Sequence, residues 1–281
     1  MREHEVYGSG GLRLHVREWG PLDAPPILFI HGVAQCHMCW APQVEGTLAE
    51  RFRLVAFDLR GHGMSDKPLE ATQYSEPEVW ADDVAAVIGS LGLKLPVLVG
   101  WSLGGMVVCD YLLRYGDDDI GGVNFVGAAV TLHLEGKGLM LGPGFTDHVA
   151  GMRATDLPTR IEAIRAFLRD QTHAPMAQDA LERGVAWNMV VPPEVRAGIG
   201  ARERSSHEVL KTLRAPVLVS HGREDRVVLP RLAEYIADTC RSARASWYDD
   251  TGHQPFSEQP ARFNEELQAF VEEARQQQLT S

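Results

Sequence analysis

The sequence predicts an α/β protein whose mostly parallel central sheet is flanked by helices and carries an inserted helical segment. Short apolar runs rich in branched aliphatic residues recur along the chain, as expected for strands buried on both faces. Stretches with helical periodicity separate these runs, which is the alternation typical of a parallel sheet. With 281 residues, of which 44% are hydrophobic, the chain is long enough for one large core with an insertion.

The predicted strands begin with an antiparallel hairpin at one edge of the sheet, because the stretch from Glu5 to Val16 is interrupted by Gly8-Ser9-Gly10-Gly11. Five buried strands are predicted at residues 26–30, 53–57, 96–99, 123–126 and 216–219. One helix is predicted from the apolar face that collects Trp80, Val84, Val87, Ile88 and Leu91. A C-terminal helix is predicted to begin at Pro260 and to bury Phe263, Leu267, Phe270 and Val271.

The alternation stops between residues 132 and 214, where helical patterns at 160–169 and 177–183 follow a glycine-rich stretch. A segment of roughly 80 residues between two sheet strands is far longer than an ordinary loop. We therefore predict an α/β core formed by residues 1–131 and 215–281 and a helical cap formed by residues 132–214. Because the segment leaves and rejoins the sheet at the carboxyl ends of strands, the cap is expected to cover the crevice where open α/β sheets bind ligands.

A serine lies on a predicted sharp turn between a strand and a helix. The segment Gly100-Trp101-Ser102-Leu103-Gly104-Gly105 follows the strand at 96–99 and precedes a helical stretch at 106–115. Such a turn strains the serine backbone, and side chains in place of Gly100 and Gly104 would clash. The turn also lifts the hydroxyl clear of the sheet, at the N-terminus of the helix. Ser102 is therefore the predicted nucleophile.

Two backbone N–H groups are predicted to stabilise the oxyanion that forms when this serine attacks a carbonyl group. One belongs to Leu103, directly after the nucleophile. The other belongs to Val33, in the loop after an earlier strand, where Gly32 lets the backbone approach closely. His31 is expected to shape that loop.

The predicted acid and base follow the serine in the chain. Asp225 lies past the carboxyl end of the strand at 216–219, where a carboxylate can hold a histidine in one tautomer. Glu224 is the alternative acid, and Asp225 is preferred by analogy with the usual sequence of such turns. His253 is the predicted base because the order serine, acid, histidine is that of the triads carried by strand–serine–helix turns.

These segments together resemble the α/β-hydrolase superfamily over nearly the whole chain outside residues 132–214. The shared patterns are H-G-x at His31, D-x-R-G-x-G-x-S at 58–65, G-x-S-x-G-G at 100–105, G-x-x-D ending at Asp225 and G-H ending at His253. Within the superfamily the chain is similar to capped bacterial esterases, acyl-homoserine lactonases, enol-lactone hydrolases and cofactor-free haloperoxidases. The resemblance implies the α/β-hydrolase fold and a serine hydrolase mechanism.

Two residue identities narrow the activity that the resemblance implies. Dehalogenases and epoxide hydrolases of this fold carry aspartate at the nucleophile position, so Ser102 disfavours both. The lactonases carry a polar residue directly after His-Gly, where this chain has Val33-Ala34, which disfavours a lactone as the substrate.

The cap is predicted to set the substrate. The expected pocket residues are Trp40, Trp101, Leu139, Met140, Phe145 and Trp187, with Leu141, Met152, Phe167 and Met189 as further apolar candidates. Because the segment shows no cluster of charges in sequence, we predict a small to medium, largely uncharged ester or lactone. A carbon–carbon bond hydrolase, a perhydrolase and a slow-turnover small-molecule receptor remain alternatives. An aminopeptidase would need cap carboxylates, and Glu135, Asp147, Asp156 and Glu162 are scattered in sequence.

Charge and targeting signals limit the expected partners. The net charge of −11, from 38 acidic and 27 basic residues, repels phosphate backbones, so nucleic acid is not expected. Neither a signal peptide nor an apolar run of about 18 residues is evident, so we expect a cytoplasmic monomer or homodimer without membrane contact. Cys36 and Cys39 lack further zinc ligands in sequence, and neither metal nor organic cofactor is expected.

Overall fold

The centre of the computed structural model, which describes residues 1–134, 136, 138–202 and 206–280, is an eight-stranded sheet. Its strands are β1 (Arg2–Tyr7), β2 (Arg13–Trp19), β3 (Pro26–Ile30), β4 (Arg53–Phe57), β5 (Val97–Trp101), β6 (Gly122–Val126), β9 (Val217–Gly222) and β10 (Ala243–Tyr248). A separate two-stranded hairpin is formed by β7 (His133–Leu134) and β8 (Gly138–Leu139).

The strands of the large sheet lie in the order β1-β2-β4-β3-β5-β6-β9-β10. The pairs β1–β2 and β2–β4 are antiparallel, and every other pair is parallel. The predicted edge hairpin is therefore confirmed as β1–β2. Register brings the ends of neighbouring strands together, with Trp101 at the end of β5 opposite Val126 at the end of β6. The carboxyl ends of β5, β6 and β9 consequently meet at one edge, where such sheets bind ligands.

Helices cover both faces of the sheet. They are α1 (Ala41–Val44), α2 (Leu48–Arg51), α3 (Thr72–Ser75), α4 (Pro77–Leu91), α5 (Leu103–Tyr115), α12 (Pro230–Thr239), α13 (Pro255–Glu258) and α14 (Pro260–Thr280). Successive residues of β3 point to opposite faces: Leu28 joins the cluster with α4 and α5, whereas Phe29 joins the cluster with α14. A strand buried on both faces must be apolar throughout, which explains the unalternated runs in the sequence.

The chain between β6 and β9 contains the β7–β8 hairpin and six helices among its described residues. These helices are α6 (Pro143–Thr146), α7 (Val149–Met152), α8 (Leu157–Arg169), α9 (Gln178–Met189), α10 (Pro193–Gly200) and α11 (His207–Thr212). Helix α8 packs against both α7 and α9, and α10 packs against α3. Helix α11 instead packs against α5 and α12, so the last helix of the segment lies among the helices that flank the large sheet.

The predicted fold class is confirmed by this arrangement, and the predicted strands overlap β3, β4, β5, β6 and β9. The β7–β8 hairpin was not predicted, because its strands have only two residues each and β8 begins with a glycine. Within the described parts of the chain, no helix is both long and apolar enough to cross a bilayer.

Candidate active site

Ser102 lies at the carboxyl end of the central sheet, on the sharp turn between β5 and α5. Its backbone has φ 54° and ψ −117°, a conformation that a residue with a side chain rarely adopts. The turn is held on both sides of the serine, because the Ser102 N–H donates to the Val126 carbonyl and the Ser102 carbonyl accepts from the Ala129 N–H. The strained residue is thus fixed by the loop that follows β6.

Two glycines make this turn sterically possible. A Cβ atom on Gly104 would lie 2.2 Å from the Ile30 carbonyl oxygen at the end of β3. A Cβ atom on Gly100 would lie 2.7 Å from the Gly104 carbonyl oxygen. Both distances are below any real carbon–oxygen contact, so the sequence requirement for glycine has a direct steric cause.

His253 and Asp225 form a buried hydrogen-bonded pair. His253 Nδ1 lies 2.8 Å from Asp225 Oδ2, and the N–H groups of Val227 and Val228 donate to Asp225 Oδ1 at 2.8 and 3.0 Å. A carboxylate accepts, so Nδ1 carries the proton and the Nε2 of a neutral imidazole is left with a free lone pair. Burial raises the pKa of Asp225, but the charge of His253 and the hydrogen bonds from His221 and His253 lower this pKa more, to well below its usual range.

The loops that hold Ser102 also hold His253. The indole N–H of Trp101, next to the serine, donates to the His253 carbonyl at 2.9 Å. Gly127 lies in sequence between the two backbone partners of Ser102, and a Cβ atom added to it would lie 3.0 Å from His253 Nδ1, so this loop is also close to the imidazole. Among the hydrogen bonds of the described residues, none joins the Ser102 hydroxyl to the imidazole. Such bonds are often formed only when substrate is present.

Glu224 is turned away from this pair. Its backbone N–H donates to the Thr251 carbonyl, and its carboxylate accepts from the Thr251 N–H at 2.9 Å. Glu224 therefore ties the loop after β9 to the loop that precedes His253, and Asp225 is the carboxylate in contact with the imidazole.

The backbone N–H groups of Val33 and Leu103 have no acceptor among the described residues. Leu103 is the first residue of α5, where the N–H has no partner within the helix. Val33 lies in a tight turn in which the Gln35 N–H donates to the Gly32 carbonyl and Ala34 has a positive φ of 58°. Both N–H groups are thus available to a ligand oxygen.

A cavity of about 280 Å³ opens above Ser102. Val33, Ser102 and Leu103 contribute to its lining from the core side. Most of the remaining wall is apolar and includes Leu141, Phe145, Val149 and Ile199 from the 132–214 segment and Val227 from the loop after β9. A cavity of this kind suits a small, mainly apolar group.

The structure describes all of the predicted pocket residues and places only some of them at the cavity above Ser102. Phe145 and Leu141 line the cavity, and Met152 lines a smaller cavity beside it. Trp40, Trp101, Met140 and Phe167 are buried in the core, and Leu139 and Met189 are half-buried outside the cavity lining. Trp187 lines a different cavity, where its indole N–H donates to Gln35 Oε1 at 2.8 Å. Apolar character alone does not distinguish a pocket wall from packing.

Gln171 is a site residue that sequence analysis missed. Its carbonyl accepts from the His253 N–H at 2.7 Å, and its side chain accepts from Gln254 Nε2 at 2.6 Å. The turn after α8 therefore anchors the loop that carries the histidine. A lone glutamine has no sequence signal for such a role.

Both ring nitrogens of His31 are used in hydrogen bonds with the backbone of two neighbouring loops. Its Nδ1 donates to the Gly32 carbonyl at 2.7 Å and its Nε2 accepts from the Leu59 N–H at 3.0 Å. Burial lowers the pKa of His31 to about 4, which matches a neutral imidazole with one donor and one acceptor. The residue shapes the loop that carries Val33.

A second group of polar side chains could in principle offer metal ligands. His15, His37 and Asp58 lie together, apart from the serine cavity. However, His37 donates to Asp58 Oδ1 at 2.8 Å, and the Arg17 guanidinium donates to His15 Nε2 at 3.1 Å. These atoms already have protein partners, and a guanidinium disfavours a cation, so the group fits a hydrogen-bonded turn better than a metal centre.

The cap carboxylates considered for an aminopeptidase do not converge on the serine. Asp147, Asp156 and Glu162 are exposed, and none of them lines the cavity. Asp156 accepts from the Thr159 N–H at the start of α8, and Glu162 pairs with Arg165. Glu135 lies outside the described residues.

Residues 25–260 match the family model described as the alpha/beta hydrolase fold, and the chain therefore belongs to this family. Its relatives include esterases and haloperoxidases, which confirms the predicted resemblance to that branch.

The chain is similar to a crystallised esterase from Rhodococcus sp. ECU1013, with a TM-score of 0.91 and 34% identity over 97% of this chain and 99% of that chain. It is 28% identical to a bifunctional esterase/perhydrolase from Acinetobacter calcoaceticus over 95% of this chain and 98% of that protein. It is 29% identical to a non-heme chloroperoxidase from Streptomyces lividans, again over 95% and 98% of the two chains.

Proposed function

We propose that this protein is a serine hydrolase that cleaves a small to medium carboxylic ester through an acyl-enzyme. One observation carries the proposal. Ser102 has a strained backbone at the N-terminus of α5, and the loops that hold it also hold His253, whose imidazole is hydrogen-bonded to the buried Asp225 carboxylate. Similarity over almost the full chain to an esterase supports the same activity.

In the first half of the proposed reaction, Ser102 Oγ attacks the ester carbonyl carbon while His253 Nε2 accepts its proton. Asp225 stabilises the resulting imidazolium through Nδ1. The Val33 and Leu103 N–H groups donate to the oxyanion, and each such donor typically contributes about 3–4 kcal/mol to transition-state stabilisation. The carbon–oxygen bond to the alcohol then breaks, and His253 returns the proton to the leaving oxygen.

In the second half, water attacks the acyl-enzyme. His253 accepts a proton from the water, the Ser102 ester bond breaks, and the carboxylic acid leaves. The chain's own residues are sufficient for both halves, so the proposed reaction needs no metal or organic cofactor.

We further propose that residues 132–214 contain a cap formed by helices α6 to α10, of which α6, α7 and α10 line the substrate cavity. Phe145 from α6, Val149 from α7 and Ile199 from α10 lie across the cavity from Ser102. Because α11 packs on α5 and α12, the functional part of the cap ends before residue 207.

The proposal is tested by replacing the serine and measuring hydrolysis of p-nitrophenyl butyrate. We expect Ser102→Ala to lose at least about 10³-fold in kcat while its thermal unfolding is unchanged. Ser90→Ala, which removes an exposed hydroxyl from α4, is the matched control and should keep full activity. A folded Ser102→Ala protein with wild-type turnover would overturn the proposal.

A covalent label provides an independent readout. A p-nitrophenyl alkylphosphonate should add one phosphonyl group to the wild type, on the peptide that contains Ser102, with release of one equivalent of p-nitrophenol. Labelling of another residue would contradict the assignment of the nucleophile even if esterase activity were present.

Perhydrolysis is a second candidate, favoured by the likeness to the bifunctional esterase/perhydrolase. In this reaction hydrogen peroxide replaces water in the attack on the acyl-enzyme, and a peracid leaves in place of the acid. Acetate and peroxide with bromide should then brominate monochlorodimedone, and Ser102→Ala should not. Carbon–carbon bond cleavage and slow receptor-like turnover remain predictions from the sequence that substrate profiling would separate.

A further inference from the structure

Two arginines that are far apart in sequence, Arg153 and Arg196, line one small cavity beside the serine cavity, and the charge of Arg160 also acts on Arg196. Arg153 follows α7, Arg160 lies in α8, and Arg196 lies in α10. Burial, together with the charges of Arg160 and Arg153, lowers the pKa of Arg196 to about 10. The tertiary structure thus creates a cationic cluster that the sequence, with its even spread of charges, did not predict.

Among the described residues, no carboxylate pairs with the buried Arg196 side chain. It is 5% exposed, its Nη2 donates to the Asn188 carbonyl at 2.6 Å near the end of α9, and its Nε has no acceptor within the described parts of the chain. Arg160 Nε is likewise buried with no acceptor in those parts. A buried guanidinium without a counter-charge is costly, so a bound anion would stabilise Arg196.

Other buried arginines of this chain are neutralised. Arg60 is bonded to Asp83 through both Nε and Nη2, and Arg202 is paired with Asp110. In the part of the chain that the structure describes, none of the ion pairs includes Arg153, Arg160 or Arg196. The contrast separates Arg196 from the other buried arginines, and Arg153 is exposed beside it.

Two of these arginines lie at or beside the cavity of the proposed active site. Arg153 is part of the wall of the cavity above Ser102. Arg153 and Arg196 also line a cavity of about 50 Å³ that shares Val33, Phe145 and Ile199 with the larger one. The mainly apolar cavity above Ser102 therefore has a cationic neighbour on the side of Arg153.

We propose that Arg153 and Arg196 bind a carboxylate on the acyl part of the substrate, which makes the substrate a monoester of a dicarboxylic acid. This inference rests on the proposed ester hydrolysis at Ser102. We assign the carboxylate to the acyl part because the cavity is lined by Val33 and Leu103, whose N–H groups bind the acyl oxygen in the proposed reaction. His253, which delivers a proton to the leaving alcohol, is not among the described lining residues of this cavity. A guanidinium binds a carboxylate through two parallel hydrogen bonds, which suits a planar anion at the end of a narrow cavity.

The experiment compares charged and neutral esters of equal chain length. Monomethyl succinate, glutarate, adipate and pimelate are hydrolysed beside methyl butyrate, valerate, hexanoate and heptanoate, and the proton release is titrated at constant pH. We expect kcat/KM for the best monomethyl ester to exceed that of its neutral counterpart by about tenfold or more, as one charge-assisted hydrogen bond allows. The preference should fall with added salt.

Substitutions test whether Arg153 causes the preference for charged esters. Arg153→Met should abolish most of the ratio between charged and neutral esters, and Arg153→Lys should retain part of it because the charge remains. Arg169→Met is the matched control, since it removes an exposed arginine from the same segment outside the cavity lining, and it should keep the wild-type ratio. An equal loss of the ratio in Arg169→Met would overturn the proposal, because it would assign the effect to net charge.

A binding measurement separates this inference from the proposed function. Calorimetry of the Ser102→Ala protein should show binding of monomethyl adipate that Arg153→Met in the same background weakens about tenfold or more. Hydrolysis of neutral methyl esters without any preference for the charged series would overturn the anionic substrate and leave ester hydrolysis in place. Binding of the monomethyl ester without turnover of either series would support the carboxylate site and contradict the hydrolase.

Discussion

The imidazole of His221 lies against the Asp225 carboxylate, with its Nε2 3.2 Å from Oδ2. The same Nε2 is 3.0 Å from the Val228 carbonyl oxygen, which can only accept, so this nitrogen carries a hydrogen and donates to both oxygens. Asp225 thus receives hydrogen bonds from His221, His253 and the N–H groups of Val227 and Val228. Its carboxylate is held ionised and fixed in direction, as the proposed role requires.

We predict that His221→Phe lowers kcat about tenfold without unfolding the protein. Phenylalanine keeps the ring packing against Trp247 but removes the donor to Asp225 Oδ2. Because that hydrogen bond helps to hold the Asp225 carboxylate in one direction, its loss leaves the carboxylate freer to turn away from His253 Nδ1, and kcat falls. The measurement is ester hydrolysis from pH 4 to 9. A profile identical to the wild type would show that His221 has only a packing role.

We predict that the two neighbouring acids of the loop after β9 respond differently to neutral replacement. Asp225→Asn should lower kcat about 10³–10⁴-fold, since the amide cannot stabilise the imidazolium and favours the wrong tautomer. Glu224→Gln should keep most activity, because its contacts are with Thr251. Both kcat values are measured with p-nitrophenyl butyrate. The opposite ranking would transfer the role of the acid to Glu224.

We predict opposite stability changes for two glycine-to-alanine substitutions. Gly104→Ala should lower the free energy of unfolding by about 1–3 kcal/mol and impair activity, because its Cβ would overlap the Ile30 carbonyl oxygen. Gly89→Ala should raise it by about 0.5–1 kcal/mol, since this exposed position within α4 has open space around the new Cβ. Urea unfolding measures both. Equal effects would mean that steric overlap at the turn does not control the outcome.

We predict that His31 makes stability depend on pH between about 6.5 and 4. Its pKa is about 4 in the folded protein against 6.5 as an ordinary histidine, so the unfolded chain binds the proton first as pH falls. The stabilising contribution, about 3 kcal/mol, is complete above pH 6.5 and is lost as pH falls towards 4.

The measurement is urea unfolding at pH 7 and pH 4.5. His31→Gln should show a difference between the two values that is smaller than in the wild type by about 2 kcal/mol. His173→Gln, which removes an exposed imidazole, should retain the wild-type difference. An unchanged difference in His31→Gln would contradict the assignment of this pH dependence to His31.

The fold and the serine turn could be predicted from the sequence because both depend on local patterns. The runs at 26–30 and 53–57 coincide with β3 and β4, since a strand buried on both faces needs apolar residues at every position. Gly100 and Gly104 flank Ser102 because no other residue fits the turn. These requirements fall within a few neighbouring residues, so the sequence displays them directly.

The substrate cavity could not be predicted in the same way. Trp101 and Phe145 have the same apolar character in sequence, yet one supports His253 from the core and the other lines the cavity. The arginines beside the cavity could not be predicted for a related reason, because Arg153 and Arg196 are separated by 42 residues and come together only when α7 and α10 converge. Contacts between distant segments leave no periodic signal.

The sequence by itself determined the class of fold, the position of the strained serine and the order of the acid and base along the chain. Only the tertiary structure decided which acid contacts the histidine, that His221 and Gln171 support the pair, and that Arg153 and Arg196 line one small cavity beside the serine cavity. The physical reason is the range of the interactions. Backbone sterics and burial patterns act between neighbours in sequence, whereas hydrogen bonds and charges act between whichever groups folding brings together.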